Sequence, residues 1–377
     1  MWPALPPLRA LIEPAETLLI AAAGGLIFTL LGFPAGLVSG SVLAVTAAAL
    51  FGRPVKVPVG LARVCYVIVG ILLGAVVTPQ TLKGFTTYPA SVAILMVASV
   101  VMIVVTMTYL RVVHHWDPLS ALMGASPGSM IQVIALSSEL GADLRAIAIV
   151  QTMRVLLLTI GIPGGLALFG LVAPAIPVAR GPAGLSSLPE MLIVIAVSVV
   201  AGIVMARIRF PGGLLFGAMA GSAVLHGTGF AQAVLPWWIG SAAVVVLGAV
   251  VGSRFANTSP RLIVSYLGAA FGSFAVSLSV ATVFALIAAH FFPFPTANVV
   301  VAFSPGAQDT MMVLALALHL DPVYVGAHHV ARFLVVTFTV AIAARRIVKK
   351  QRVTVQAAYP GRSAAGSDAP QNRDRHA

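Results

Sequence analysis

SPGSM at residues 126–130 and SPGAQD at residues 304–309 decide how this chain folds. Both stretches sit in very apolar surroundings, and their Ser-Pro-Gly triplets lie 178 residues apart. Proline removes a backbone donor and clashes with the preceding helical turn, and glycine loses more conformational freedom than any other residue when ordered. A chain that places such a triplet twice in apolar sequence must bury the broken backbone in protein or line a watery space with it. Lipid satisfies no hydrogen bond.

The surroundings are those of a membrane protein. The chain has 377 residues, of which 59% are hydrophobic and 8% charged, with a mean hydropathy of +1.04. A water-facing domain carries about 25% charged residues, so this composition implies an all-α, polytopic protein embedded in a lipid bilayer. The net charge of +12 is spread through short loops and a tail. That spread fits cytoplasmic loops better than a nucleic-acid partner. The single Cys65 leaves no internal disulfide and no cysteine metal cluster. Residues 1–17, with Glu13, Glu16 and four prolines, do not resemble a cleaved signal peptide.

Apolar runs fall near 18–31, 36–51, 59–77, 90–113, 119–140 and 146–170, and again near 190–206, 212–225, 236–252, 262–291, 297–318 and 323–344. The two sets match in order. Phe33-Pro34-Ala35-Gly36-Leu37 corresponds to Phe210-Pro211-Gly212-Gly213-Leu214, and Leu73-Gly74-Ala75-Val76-Val77 recurs as Leu247-Gly248-Ala249-Val250-Val251. At the offset of the SPG triplets, Asp143 matches Asp321 and Arg154 matches Arg332. The chain therefore reads as an internal duplication: an N-terminal cytoplasmic segment over 1–16, a first membrane repeat over 17–170, a linker over 171–189, a second repeat over 190–346 and a basic, disordered tail over 347–377. GxxxG spacings at Gly36–Gly40 and at Gly213, Gly217 and Gly221 permit close helix packing and make a homodimer plausible.

Loop charges set the relative orientation. Arg53, Lys56, Arg63 and Arg111 mark loops of the first half whose counterparts at 226–236 and 291–296 hold no Lys or Arg. Arg207, Arg209, Arg254 and Arg261 mark the loops that are weak in the first half. Lys and Arg mark the cytoplasmic side, so the halves are expected to be inverted. Six crossings per half would keep them parallel. Five crossings plus one re-entrant or broken helix, the run holding SPG, gives two inverted-topology repeats, about ten crossings and both termini in the cytoplasm.

The SPG segments then read as discontinuous helices at the bilayer midplane, the usual place for solute in inverted-repeat carriers. Ser126 and Ser304 are expected to cap helices starting at Pro127 and Pro305, whose free N–H groups suit an anion. The bland alternative is a pair of interfacial loops. Candidate solute contacts are Ser126, Pro127, Gly128, Gln132 and Arg154 in the first half, and Ser304, Pro305, Gly306, Gln308 and Arg332 in the second. Arg154 and Arg332, eleven residues past an aspartate, lie about 16 Å along their helices. They either grip a carboxylate or phosphate with the planar fork or pair with helix-end carbonyls. Asp309, with Ile131 as its counterpart, is an asymmetric carboxylate suited to H+ or Na+ coupling, or merely a helix-terminal acid. His328 and His329 precede Arg332 on one helix and are placed to relay a proton. As sequence neighbours they face apart and make a poor metal clamp, and the alternative is a pair of neutral core histidines.

The stretches SPGSMIQVIALSSELGADLRAIAIVQTMRVLLL and SPGAQDTMMVLALALHLDPVYVGAHHVARFLVV resemble the two copies of the duplicated domain in the AbrB family of bacterial inner-membrane proteins, over about residues 17–346. The second copy carries Asp309, His329 and Arg332 where the first has Ile131, Gln151 and Arg154. The resemblance implies a multi-pass inner-membrane location. Family members are labelled ammonia monooxygenase, AbrB-like transporter or regulator. An oxygenase needs clustered His and carboxylate ligands, and the eight histidines here are scattered apart from two adjacent pairs. The expectation is a secondary transporter of a small anionic or polar organic solute, with H+ or Na+ coupling and no metal, cofactor or catalytic residue. A membrane sensor without flux is the alternative, and a metal-dependent monooxygenase the weaker one.

Overall fold

The computed structural model describes residues 8–77, 88–127, 130–172, 187–256 and 258–358. Among them the chain is helical without strands. The first half comprises α1 (Leu8–Leu30), α2 (Gly36–Leu50), α3 (Val59–Ala75), α4 (Tyr88–Val113), α5 (Pro118–Ala125), α6 (Met130–Leu140) and α7 (Leu144–Leu168). The second comprises α8 (Leu188–Arg207), α9 (Gly213–Gly227), α10 (Trp237–Gly252), α11 (Pro260–Phe291), α12 (Thr296–Phe303), α13 (Gln308–Ala317) and α14 (Pro322–Ala358).

Seven described helices, α1, α4, α7, α8, α10, α11 and α14, are long and apolar enough to cross a membrane. Three more, α2, α3 and α9, are apolar but only 15–17 residues long. Large apolar side chains such as Leu19, Val200, Val264 and Phe338 lie exposed on the outside of the bundle, where lipid is their natural solvent. This is a multi-pass membrane protein. Helix α1 begins ahead of the apolar run at 18, and α14 continues without a break past 346 to Ala358.

The two halves repeat element for element, down to irregular detail. α2 and α9 are both 15 residues long and both start from a left-handed residue, Ala35 at φ 52° and Gly212 at φ 65°. Each follows the matched Phe-Pro turn. α5 and α12 are eight residues each, with α6 and α13 at eleven and ten.

The apolar run holding each SPG triplet is two short helices in place of one. Ser126 (φ −69°, ψ 119°) ends α5, and Ser304 (φ −60°, ψ 138°) ends α12. Both serines therefore close the helix before the triplet, and the expectation that they cap the helix after it is corrected. A residue ahead of proline is driven out of the helical region, which fixes the end at serine. The serine hydroxyl then turns back and donates to the carbonyl four residues earlier, Ser126 Oγ to Leu122 O at 2.6 Å and Ser304 Oγ to Val300 O at 2.5 Å. Among the described residues the next helices run over Met130–Leu140 and Gln308–Ala317.

The halves interlock. α3 of the first packs on α9 of the second, and α10 of the second packs on α2 of the first. The glycines of the repeated Leu-Gly-Ala-Val-Val allow this. A Cβ on Gly74 would lie 2.5 Å from Ser222 Cβ, and one on Gly248 would lie 2.7 Å from Ser41 Cβ. Between lipid-exposed helices the drive for association is close packing and interhelical hydrogen bonds. Ser222 Oγ of α9 donates to Ile71 O of α3 across the halves, and Ser41 Oγ of α2 donates to Ala21 O of α1 within the first half, both at 2.8 Å.

Gly248→Val is expected to destabilise the purified protein by about 1–3 kcal/mol through overpacking, read as a lower melting temperature in detergent. Gly165→Ala, where a Cβ meets nothing within 4 Å, is the control, expected to melt at or above wild type. Equal melting of the two variants would contradict the seam.

Candidate functional site

A helix that stops inside the bundle leaves carbonyls without partners. The two deep arginines supply them. Arg154 Nη2 donates to Ser126 O at 2.9 Å, and its Nη1 lies 3.5 Å from both Gly124 O and Ala125 O. Arg332 Nη1 donates to Ser304 O in a short contact, and its Nη2 donates to Gly306 O at 3.1 Å. Both arginines are buried. Of the two arginine roles open from sequence, pairing with helix-end carbonyls is the one the geometry displays.

A second donor repeats at the same offset. Gln151 Nε2 donates to Met123 O at 2.9 Å, and His329 Nε2 to Val301 O at 3.1 Å. His329 Nδ1 accepts from Arg332 Nη2 at 2.6 Å, so the network holds a neutral ring with its proton on Nε2. Gln151 and His329 perform one task with different side chains, which is why the substitution between copies is tolerated. Asp143 caps α7 by accepting from Arg145 N and Ala146 N, and Asp321 does the same for α14 from Val323 N and Tyr324 N.

The breaks converge on one cavity of about 490 Å3. Pro127, Met130 and Gln132 reach it from the first half, and Gly306, Ala307, Gln308, Asp309, His329 and Arg332 from the second. The first residues of four helices also line it: Val59 of α3, Met130 of α6, Gly213 of α9 and Gln308 of α13. Three of these starts, in α3, α9 and α13, have no side-chain cap. Gln308 Nε2 reaches Pro211 O at 3.4 Å, tying α13 to the turn before α9. Gln132 accepts from Thr337 Oγ1 at 3.4 Å.

Asp309 is not isolated. Tyr66 OH donates to its Oδ2 at 2.9 Å, and Arg254 Nη2 lies 3.3 Å from the same oxygen. Sequence reasoning missed both partners. Tyr66 sits in an unremarkable apolar run, and Arg254 reads as one more charge at a cytoplasmic loop. The one available signal was its place three residues past the repeated Leu-Gly-Ala-Val-Val, at the end of a packed helix.

Other candidates lie elsewhere. Arg154, Ser126, Ser304 and Pro305 are buried behind the lining. Gly128 lies outside the described residues. His328 is fully buried away from the cavity: Nε2 pairs with Ser91 Oγ at 2.6 Å and Nδ1 donates to Tyr324 O at 2.7 Å, against the ring of Tyr324. Among the described residues no three His, Cys, Asp or Glu side chains come together in a way that could hold a metal ion.

A family model described as "Transition state regulatory protein AbrB" matches residues 37–348. The chain is 26% identical to the protein YhjN of Bacillus subtilis (strain 168) over 345 residues, covering 84% of this chain and 88% of that one. It is 25% identical over 329 residues to AbrB, named as a candidate regulator, of Escherichia coli (strain K12), covering 85% and 92%.

If His329 serves only to hold the break, His329→Gln is expected to melt within about 1 kcal/mol of wild type, since the amide donates to the same carbonyl. His329→Leu is expected to lose about 1–3 kcal/mol by orphaning Val301 O and an Arg332 donor. A leucine variant that melts like wild type would contradict this role.

Proposed function

The chain belongs to the AbrB family, and within it we propose a secondary transporter of a small anionic or polar organic solute. The observation that carries this reading is the single cavity of about 490 Å3 shared by both SPG breaks. Its size lies within the usual range for small-molecule sites, about 300–1,000 Å3. Uncapped helix starts place free N–H groups and partial positive charge at its wall. Arg63, Arg254 and Arg332 against the one carboxylate Asp309 add to that preference for an anion.

The inverted topology expected from the loop charges is part of this proposal and gives the cavity a side. With Lys- and Arg-bearing ends placed in the cytoplasm, α1–α4 and α7 cross in the first half and α8–α11 and α14 in the second. The pairs α5–α6 and α12–α13 enter from opposite faces and turn back at SPG. The first cavity then opens inward. A second cavity, of about 730 Å3, is lined by the outer ends: Ala35, Trp237, Asn298, Leu318 and Asp321. Helix α13 spans the distance between them, its first residues lining one and its last the other. At ten residues it is about 15 Å long, so movement of α13 and its counterpart α6 is the natural alternation.

Within this reading Gln132, Gln308 and the break backbone at Pro127 and Gly306 contact solute. Asp309 is the coupling carboxylate for H+ or Na+. Arg154, Arg332 and His329 hold the breaks in shape, and His328 is a core histidine bonded to Ser91 and Tyr324. A sensor without flux draws on the name of the Escherichia coli relative. The oxygenase reading needs a ligand cluster that the described residues do not form.

Proteoliposomes tested with radiolabelled acetate, succinate, phosphate and methylammonium are expected to take up at least one. Ala62→Trp, which projects bulk into the cavity from α3, is expected to cut that uptake at least tenfold while melting near wild type. Ligand-induced stabilisation with no flux of any probe would favour the sensor. Flux indifferent to Ala62→Trp would remove the cavity from the pathway.

A further inference from the structure

Arg254 differs from the two break arginines because its donors are not spent, and from the exposed Arg63, which also lines the cavity, because it is partly buried against Asp309. Arg332 and Arg154 give theirs to helix-end carbonyls. Arg254 lies on the short 3-10 turn Ser253–Phe255 that follows α10, with its side chain 21% exposed. Its Nη2 meets Asp309 Oδ2 at 3.3 Å, longer than the roughly 2.7–2.9 Å of a strong charge-assisted bond. Its Nη1 is buried and has no hydrogen-bond partner among the described residues. Asp309 Oδ2 meanwhile has a second donor, the Tyr66 hydroxyl at 2.9 Å. One guanidinium nitrogen is therefore weakly engaged and the other unpaired, in a residue that lines a cavity of about 490 Å3. Guanidinium is built to bind two oxygens of one oxyanion side by side.

We infer that Arg254 is the solute-binding cation of this cavity, that it takes a small carboxylate, and that Asp309 is its resident counterion, displaced when that carboxylate arrives. The inference rests on the transporter reading of the cavity and names its substrate class. The incoming carboxylate replaces Asp309 on Nη2, and Asp309 keeps the Tyr66 hydroxyl as its donor. The charged and titratable groups lining the cavity are Arg63 and Tyr66 on α3, Arg254, and His329 and Arg332 on α14. The other helices packed on α13, namely α2, α7, α10 and α12, contribute none to that lining. Among the described residues Asp309 is the only carboxylate in the lining.

The test is calorimetric titration of the purified full chain in detergent with acetate, succinate and inorganic phosphate, at constant ionic strength. Wild type is expected to bind a carboxylate. Asp309→Asn, which removes the competing counterion, is expected to bind it at least tenfold more tightly than wild type. Arg254→Gln is expected to weaken binding at least tenfold. Wild-type binding by Arg254→Gln, binding by Asp309→Asn no tighter than wild type, or binding of phosphate alone or of none of the three would each overturn the inference. Should a single variant fail to fold, Arg254→Gln with Asp309→Asn removes both charges together; carboxylate binding by that double variant overturns it as well. A carboxylate that binds as expected yet never crosses a proteoliposome membrane fails the transporter reading and leaves the exchange standing. Carboxylate flux unchanged by Arg254→Gln does the reverse.

Discussion

Everything in this bundle depends on what happens to the carbonyls of a helix that ends where there is no water. α5 and α12 stop inside the protein at Ser126 and Ser304, and their last carbonyls need donors. Arg154 and Arg332 reach them from α7 and α14, helped by Gln151 and His329. A guanidinium suits the task because it stays charged and presents several donors in a fixed plane. Its burial, normally costly, is offset by carbonyls that carry the negative end of the helix dipole. With those ends satisfied, α13 on the far side of the second break starts without a side-chain cap, and its first residues line the cavity.

Duplication makes this arrangement possible twice, and interlocking makes the two copies one body. α3 and α10 each lean on the opposite half across a glycine that tolerates no Cβ. Tyr88 of the first half reaches Asp321 of the second, and Tyr266 of the second reaches Asp143 of the first, at 3.3 and 3.5 Å. The copies differ in sequence after the triplet, where Ile131 of the first is the counterpart of Asp309 of the second.

Much of this was legible in the sequence because it follows from solvent and backbone. Composition fixed the bilayer, apolar runs located most helices to within a few residues, with α1 starting ten residues ahead of its run and α14 ending fourteen beyond its own, and the repeated triplets located the breaks. The direction of capping at Ser126 and Ser304 was misread, since serine before Pro-Gly was weighed as a helix start and the restriction proline places on its predecessor was not. The choice between solute grip and carbonyl clamp for Arg154 and Arg332 was open, because spacing along one helix says nothing about what a second element presents to it. Tyr66 and Arg254 were invisible as partners of Asp309: they lie 243 and 55 residues away and meet it only through the packing of α3 and α10 around α13.

The most direct measurement is sidedness at the second break. In a Cys65→Ala background, Gln308→Cys places one thiol on the cavity wall at the start of α13. Right-side-out and inverted membrane vesicles would each be treated with a membrane-impermeant maleimide. The account predicts labelling from the cytoplasmic face, the face bearing Arg63 and Arg254, and protection from the other. Labelling from the opposite face alone, or from neither, would contradict a solute cavity that opens inward to the paired breaks.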